Sequence, residues 1–181
     1  MRLFAGVDIP DEVKAALNSL LTRLRPLAKL SWSRPENLHI TTQFIGEWPE
    51  ERLDEMKAAL ASVPWSGGIE IAIKGLGWFP DARRPRVFWA GVDGGEALQK
   101  LARATSQAIE KVGVAIGDRP YAPHLTLARM RDPVPLDTLH KAIEALPSGC
   151  GFDFGAFRAE CFHLYLSAGG KYTKLTTFPL P

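Results

Sequence analysis

The feature that most constrains this chain is an internal repeat. Residues 4–8 (Phe-Ala-Gly-Val-Asp) recur as residues 89–93 (Trp-Ala-Gly-Val-Asp). Residues 38–41 (Leu-His-Ile-Thr) recur as residues 123–126 (Pro-His-Leu-Thr), again 85 positions later. Two separate matches that share one offset indicate two copies of one structural unit.

The segments between these matches have the same periodicities in both copies. Apolar residues at the three-and-four spacing of an amphipathic helix follow the repeated Asp, and they follow each histidine motif as well. The first pair of helices is predicted from Val13, Leu17, Leu20, Leu24 and Leu27, and from Leu98, Leu101, Ala102, Ile109 and Val112. The second pair is predicted from Leu53, Met56, Leu60 and Val63, and from Leu136, Leu139, Ile143 and Leu146. Strand-like runs at 69–73 and 152–154 follow, and two further strands are predicted at 162–167 and 172–178.

Each half therefore has the order strand, helix, strand with the histidine motif, helix, strand. This order predicts an α+β fold that is bilobal, with two pseudo-twofold-related lobes. We interpret residues 1–181 as a single domain with repeat halves of about 1–84 and 85–181. The Pro- and Arg-rich segment 79–85 is predicted to be an exposed loop.

The charge balance limits the kind of partner. The chain has 22 Lys and Arg against 20 Asp and Glu, a net charge of +2, which argues against a dedicated binder of long duplexes. Neither cysteine, Cys150 or Cys161, lies at a metal-ligand spacing, and both are expected to be buried and reduced. No apolar run has the length of a membrane span, so a cytoplasmic monomer with no membrane or protein partner is expected.

The two histidine motifs carry the predicted chemistry. Side chains two apart on a strand share a face, so His39 and Thr41 project together, as do His124 and Thr126. The alternate residues, among them Phe44, would point into the core. A pseudo-twofold axis can bring both strands to one cleft, where two imidazoles and two hydroxyls converge.

This set of side chains suits a phosphodiester. A neutral histidine can take a proton from water while a protonated one gives a proton to the leaving oxygen, and an unperturbed imidazole pKa of about 6.5 allows both forms. The remaining histidines, His140 and His163, lack the motif and are expected to be surface or packing residues. Zinc prefers three or four ligands, and each motif offers a single histidine, so neither a metal nor another cofactor is expected.

The two motifs, together with residues 2–7, 32–38, 86–91 and 166–180, resemble the two-histidine (2H) phosphoesterase superfamily. Within it the chain is most similar to RNA 2′,3′-cyclic phosphodiesterases, once called 2′-5′ RNA ligases. The resemblance implies a bilobal fold in which each lobe has an antiparallel sheet with helices on the outside, and in which the active site lies in the central cleft. It also implies metal-independent hydrolysis of a 2′,3′-cyclic phosphate at an RNA end to a 2′-phosphate. It implies His39 as the proton donor, His124 as the proton acceptor, and Thr41 and Thr126 as phosphate ligands.

The resemblance also implies that Arg129 binds the phosphate. Arg129 follows His124 by five residues, so strict strand alternation places it on the opposite face unless a bulge or the end of the strand redirects it. Tyr121 and Phe44 are candidates for stacking on a base, with Trp32 and Trp78 as further options. Arg34, Arg83, Arg84 and Arg131 could contact more of an RNA strand, and the sequence does not choose among them.

Three functions remain open at this point. The first is an RNA-end cyclic phosphodiesterase acting on RNA ends or nucleotides with a 2′,3′-cyclic phosphate. The second is an enzyme of the same superfamily that acts on a small cyclic nucleotide or joins 2′-5′ RNA ends. The third is a nucleotide- or RNA-binding module without catalysis.

Overall fold

The computed structural model describes residues 1–146 and 152–181, which form nine strands and four α-helices. The strands are β1 (Arg2–Asp8), β2 (Ser31–Trp32), β3 (His39–Glu47), β4 (Ile69–Phe79), β5 (Val87–Asp93), β6 (His124–Arg129), β7 (Asp153–Ala159), β8 (Cys161–Ala168) and β9 (Lys171–Pro179). The helices are α1 (Asp11–Leu24), α2 (Leu53–Ala61), α3 (Gly95–Glu110) and α4 (Asp137–Glu144). Apart from the short β2, the order of elements in β1–β4 repeats in β5–β7, and β8 and β9 follow without counterparts. The predicted α+β class is confirmed.

The strands form two antiparallel sheets. The four-stranded sheet has the order β3-β1-β8-β9, and the five-stranded sheet has the order β2-β6-β5-β4-β7. Each sheet contains one histidine strand, β3 or β6, beside the strand that carries the repeated Ala-Gly-Val-Asp, β1 or β5. The sheets therefore present the two motifs in equivalent settings.

The two sheets do not coincide with the two halves of the sequence repeat. β4 belongs to the first half of the chain but pairs with β5 and β7 of the second half. β8 and β9, at the end of the chain, return to pair beside β1. The helices cross between the halves too, because α1 packs against β7 and α3 packs against β3. This interchange makes the two lobes one continuous unit.

The long helices form where the apolar spacing predicts them. α1 buries Val13, Leu17 and Leu21, and it ends before Pro26, whose ring cannot continue an α-helix. Leu27, predicted in this helix, lies instead in the 3₁₀ turn Arg25–Leu27. α3 buries Leu98, Leu101 and Ile109, so both helices cover the sheets with an apolar stripe.

The β8–β9 hairpin is closed by two glycines. Gly169 and Gly170 have φ values of 58° and 74°, a left-handed conformation that glycine adopts without steric cost. Such a pair favours the tight turn that matches the twist of antiparallel strands. The turn brings Tyr172, at the start of β9, next to the first histidine motif.

The solvent exposure of the loop between the halves and of the cysteines can be compared with the sequence-based predictions. Residues 80–84 are exposed, as predicted for the loop between the halves. Cys161 is half-buried, not fully buried as expected, because it lies at the start of β8 near the end of the sheet. Cys150 lies outside the described residues. No described helix is long and apolar enough to cross a membrane.

Candidate active site

A one-residue bulge follows each histidine motif. In the β1–β3 ladder, Gly6 pairs with Thr41 and Ala5 with Gln43, so Thr42 has no partner in the register. In the β5–β6 ladder, Trp89 pairs with Thr126 and Phe88 with Ala128, which leaves out Leu127 in the same way. The two bulges are at equivalent positions of the repeat. A bulge of this kind reverses the side-chain alternation of the strand beyond it.

On β6 the bulge determines which face of the strand carries the side chain of Arg129. Arg129 pairs with Val87, two residues from the Trp89–Thr126 pair, and so shares the face of His124 and Thr126. Simple alternation would have placed Arg129 on the opposite face. The guanidinium is exposed on the histidine face.

On β3 the bulge places Phe44 on the histidine face. Phe44 pairs with Phe4, two residues from the Gly6–Thr41 pair, and its side chain is 56% exposed. No other large apolar side chain among the described residues is exposed to this degree. The expectation that Phe44 points into the core is wrong, because it assumed unbroken alternation. Ile40, Leu125 and Leu127 are fully buried, as expected.

The two histidines have the same local hydrogen bond. His39 Nδ1 lies 2.6 Å from the carbonyl oxygen of Asn37, and His124 Nδ1 lies 2.8 Å from the carbonyl oxygen of Ala122. A carbonyl can only accept, so each Nδ1 carries the hydrogen and each neutral ring has its lone pair on Nε2. This geometry leaves Nε2 of both rings as the atom that can take up or release a proton.

A threonine hydroxyl reaches Nε2 of His39, and an aromatic ring packs against each imidazole. His39 Nε2 lies 2.9 Å from Thr41 Oγ1, so the Thr41 hydroxyl donates to the neutral ring. An aromatic ring meets each imidazole at right angles with 5.0 Å between centroids: Tyr172 for His39 and Phe79 for His124. The aromatic contacts hold the plane of each imidazole, and the Nδ1 hydrogen bonds oppose a ring flip because a flip would break them.

Several contacts hold the two motifs close together. The Tyr121 hydroxyl, three residues before His124, donates to the carbonyl oxygen of Thr41 at 3.0 Å. In the other direction, the Ser33 hydroxyl donates to the carbonyl oxygen of Thr126 at 2.8 Å, and the Ser33 amide donates to that of Leu127 at 2.8 Å. Each lead-in segment thus bonds to the opposite motif. The sequence suggested no such role for Tyr121, whose proposed stacking on a base stays a prediction.

The electrostatics keep both imidazoles neutral in the free protein. Burial lowers the pKa of His39 to about 4; the hydrogen bond to Asn37 raises it, and the positive charge of Arg129 lowers it further. Burial also lowers the pKa of His124, with the bond to Ala122 raising it and Arg129 again lowering it. The expectation of an unperturbed imidazole is therefore corrected. Arg129 acts on both rings, so its charge lies within reach of both motifs.

A charged cluster borders His39 on its other side. Asp8 pairs with His39 in the β1–β3 register, and its carboxylate binds Lys14 at 3.0 Å and Lys174 at 2.5 Å. Burial opposes ionisation of Asp8, but the hydrogen bonds and charges of the two lysines outweigh it and lower the pKa of Asp8. The charge of Asp8 raises the pKa of His39, but burial of the imidazole outweighs it.

Three residues near the histidines were not predicted as site residues. They are Phe79, Tyr172 and Asn37. The Asn37 side chain donates to the carbonyl oxygen of Gly170 at 2.8 Å and accepts from the Tyr172 amide at 3.2 Å, while its own carbonyl holds His39. Asn37 and Tyr172 both lie in segments that resemble the phosphoesterase superfamily, which was the available signal for them. Tyr172 is too distant in sequence from His39 to be found by spacing.

The other aromatic and histidine candidates have packing contacts. Trp32 Nε1 donates to the Ala28 carbonyl at 3.0 Å, and Trp78 stacks on Phe88 at 4.4 Å. His140 packs edge-on against Trp78, and His163 is buried, with Nδ1 3.0 Å from Thr177 Oγ1. These contacts agree with the packing roles expected for both histidines. Within residues 1–146 and 152–181, no group of three or more His, Cys, Asp or Glu could hold a metal ion.

Comparison with known proteins decides the family. Residues 7–89, which include the first histidine motif, match the model of the LigT-like phosphoesterases. The RNA 2′,3′-cyclic phosphodiesterase of Archaeoglobus fulgidus is 34% identical over 131 residues, covering 72% of this chain and 73% of that protein. The chain belongs to the LigT-like phosphoesterase family.

The solved structures of similar proteins extend the similarity to the second motif. A crystal structure of a Thermus thermophilus protein matches with a TM-score of 0.80 and 32% identity, over 99% of this chain and 98% of the other. Escherichia coli LigT in complex with 3′-AMP matches with a TM-score of 0.75 and 25% identity, over 99% and 97% of the two chains. Both histidine strands therefore lie within a fold shared with these proteins.

Proposed function

We propose that this LigT-like protein hydrolyses 2′,3′-cyclic phosphates at RNA ends to 2′-phosphates, using its two histidines as acid and base without a metal. The observation that carries the proposal is the matched setting of His39 and His124. Each ring is anchored through Nδ1 to a carbonyl, and Arg129 acts electrostatically on both. The Archaeoglobus relative, named an RNA 2′,3′-cyclic phosphodiesterase, supports the choice of substrate.

The proposed reaction uses Nε2 of each imidazole, because Nδ1 is occupied by its carbonyl. His124 Nε2 takes a proton from water as the water oxygen bonds to phosphorus. The bond between phosphorus and the 3′-oxygen breaks, and protonated His39 gives its Nε2 hydrogen to that oxygen. The bond to the 2′-oxygen is kept, so the product is a 2′-phosphate. Each such proton transfer contributes about 10²–10⁴-fold to the rate.

Negative charge develops on the phosphoryl oxygens during the reaction, and hydrogen-bond donors are needed to stabilise it. The hydroxyls of Thr41 and Thr126 share the face of the two histidines, as does the guanidinium of Arg129. The Thr41 hydroxyl donates to His39 in the free protein and would turn to the phosphate on binding. Arginine suits this site because its planar fork binds two phosphate oxygens at once.

Substrate binding favours uptake of the missing proton from solvent. With a pKa of about 4, His39 is neutral in the free protein at neutral pH. A cyclic phosphodiester carries one negative charge, which favours the charged imidazolium and raises the pKa of His39 as it binds. The acid therefore forms in the complex with substrate. This coupling restricts the charged state to a site that holds an anion.

The nucleoside part of the substrate requires an aromatic surface. Phe44 is exposed on the histidine face of β3, and stacking on a base would cover its ring. The crystal structure of Escherichia coli LigT with 3′-AMP is consistent with nucleotide binding in this family.

The test is incubation of the protein with a short RNA ending in a 2′,3′-cyclic phosphate in the presence of EDTA, followed by identification of the product. A 2′-phosphate is expected. A 3′-phosphate would contradict the assignment of the leaving oxygen, and a requirement for added metal would contradict the mechanism. Turnover of 2′,3′-cyclic mononucleotides but not of RNA would favour a small cyclic nucleotide as substrate. Nucleotide binding without turnover would favour the binding module.

A further inference from the structure

A cavity of about 630 Å³ lies beyond the ends of β4 and β6. One wall is the β4–β5 loop, with Arg83, Arg84 and Arg86, and the other wall is the segment 130–137 after β6. We call this the arginine groove. Its volume falls in the range of ligand pockets. No residue of the groove takes part in the acid–base chemistry described above.

Backbone bonds join the two walls. The Arg86 amide donates to the Phe79 carbonyl at 2.6 Å, and the Met130 amide donates to the Arg86 carbonyl at 2.9 Å. The Arg86 guanidinium donates to the carbonyl oxygen of Arg131 at 2.6 Å. Asp81 Oδ1 accepts from the amides of Arg83 and Arg84 and so orders the loop that carries them. The groove is thus a formed surface between two connected loops.

The groove begins where the cleft ends. Arg129 and Phe79 are the last residues of β6 and β4, and Phe79 packs against His124. Met130, one residue past Arg129, already lines the groove. The arginine groove therefore adjoins the ends of the two strands that carry Arg129 and Phe79.

The charge of the groove favours a polyanion. Arg83 and Arg84 are exposed, as is Arg131 at the rim, and none of the three forms an ion pair with a carboxylate among the described residues. The lining of the groove contains three arginines, Arg83, Arg84 and Arg86. It also contains two acids, Asp132 and Asp137, so the arginines outnumber the acids by one. Arginines left without carboxylate partners are the usual ligands of nucleic-acid phosphates.

We propose that the arginine groove binds the phosphates of the RNA strand immediately upstream of the cyclic end. This inference rests on the proposed function and adds the surface that distinguishes an RNA end from a cyclic mononucleotide. Of the four arginines that the sequence left unranked, it selects Arg83, Arg84 and Arg131. The groove contributes affinity for the strand and leaves the chemistry at the cyclic phosphate unchanged.

The test compares two substrates, a 2′,3′-cyclic mononucleotide and an oligonucleotide ending in a 2′,3′-cyclic phosphate. The variant is Arg83→Ala with Arg84→Ala. The matched control is Arg23→Ala with Arg103→Ala, which removes the same charge from exposed positions on α1 and α3. The groove variant should lose about tenfold in kcat/KM for the oligonucleotide and nothing for the mononucleotide. Its salt dependence should flatten by about 0.7 per lost phosphate contact in a log–log plot.

An equal loss on both substrates, an equal loss in the control, or no loss on the oligonucleotide would overturn the groove assignment. If the wild-type protein turns over neither substrate, the proposed function fails, and the groove is then judged by binding alone. Fluorescence anisotropy with a labelled RNA ending in a 2′-phosphate needs no turnover. Weaker binding by the groove variant but not by the control would support the groove, and unchanged binding would overturn it.

Discussion

Phe44 and Arg129 occupy equivalent positions of the repeat, five residues past His39 and His124. Each reaches the histidine face through a one-residue bulge, at Thr42 in β3 and at Leu127 in β6. The same backbone device therefore presents an aromatic ring from one sheet and a cation from the other. This difference between otherwise matched strands gives the pseudo-symmetric cleft a direction, with one side suited to a base and the other to a phosphate.

The paired histidines give the first prediction. His39→Ala and His124→Ala should each lower kcat by at least about 10²-fold, because each removes one proton transfer. Circular dichroism and the melting temperature should show a folded protein in both cases. His140→Gln is the control, because His140 packs against Trp78, and it is assayed on a 2′,3′-cyclic mononucleotide because His140 also lines the arginine groove. Near-normal turnover in either alanine variant would refute the acid–base pair.

The lowered pKa values of the histidines predict the pH dependence. Hydrolysis needs His39 protonated and His124 neutral, and both pKa values lie below 6.5 in the free protein. The profile of kcat/KM, which reports the free enzyme, should therefore peak below pH 6.5 and fall on the alkaline side. The alkaline limb of kcat should lie at higher pH, because bound phosphate raises the pKa of His39. If the alkaline limbs of kcat and kcat/KM lie at the same pH, substrate binding does not raise the pKa of His39, and the proposed coupling is wrong.

Arg129 should affect both rate and pH profile. Arg129→Ala removes a phosphate ligand and should lower kcat/KM by about 10²-fold or more, as for loss of one stabilising donor. Arg129→Lys should recover only part of the loss, because an ammonium cannot form the two-pronged contact. Removing the positive charge should also raise the pKa of both histidines and move the kcat/KM optimum to higher pH. If the pH optimum of kcat/KM does not shift in the alanine variant, the guanidinium of Arg129 lies too far from the imidazoles to affect their pKa values.

Phe44 should act on binding more than on turnover. Stacking of one base on an aromatic ring is worth about 1–3 kcal/mol, so Phe44→Ala should raise KM by about 5- to 100-fold with kcat nearly unchanged. Phe44→Trp should retain affinity, whereas Phe44→Leu keeps an apolar surface without an aromatic face. The side chain is 56% exposed, and stability should change little. Equal KM values for the leucine and tryptophan variants would argue against stacking.

Tyr121 joins the two motifs through one hydrogen bond to the Thr41 carbonyl. Tyr121→Phe should lower the free energy of unfolding by about 1 kcal/mol, the usual contribution of such a bond. For a chain of this size that corresponds to about 2–4 °C in the melting temperature. A smaller kcat is expected as well, because β3 loses a contact that fixes Thr41 and His39 opposite β6. If stability falls but kcat does not, the bond stabilises the fold without positioning the site.

Local sequence patterns predicted most of the secondary structure of this protein and the face shared by the side chains of each histidine motif. An offset shared by two motifs, with helical spacing between them, was enough to predict the repeated order of strands and helices. Period-two alternation was enough to place His39 with Thr41 and His124 with Thr126, because those pairs precede the bulges. These features depend on neighbours within a few residues, which the sequence records directly.

The bulges, the aromatic contacts of the histidines and their pKa values depend on contacts between segments that are far apart in the chain. The bulges at Thr42 and Leu127 arise from pairing with β1 and β5, so Phe44 and Arg129 could not be assigned a face from their own strands. The edge-on contacts of Tyr172 with His39 and Phe79 with His124 join residues far apart in the chain. The lowered pKa of His39 likewise results from burial by the assembled sheets. Alternation is local, whereas register, burial and charge proximity depend on how distant segments meet.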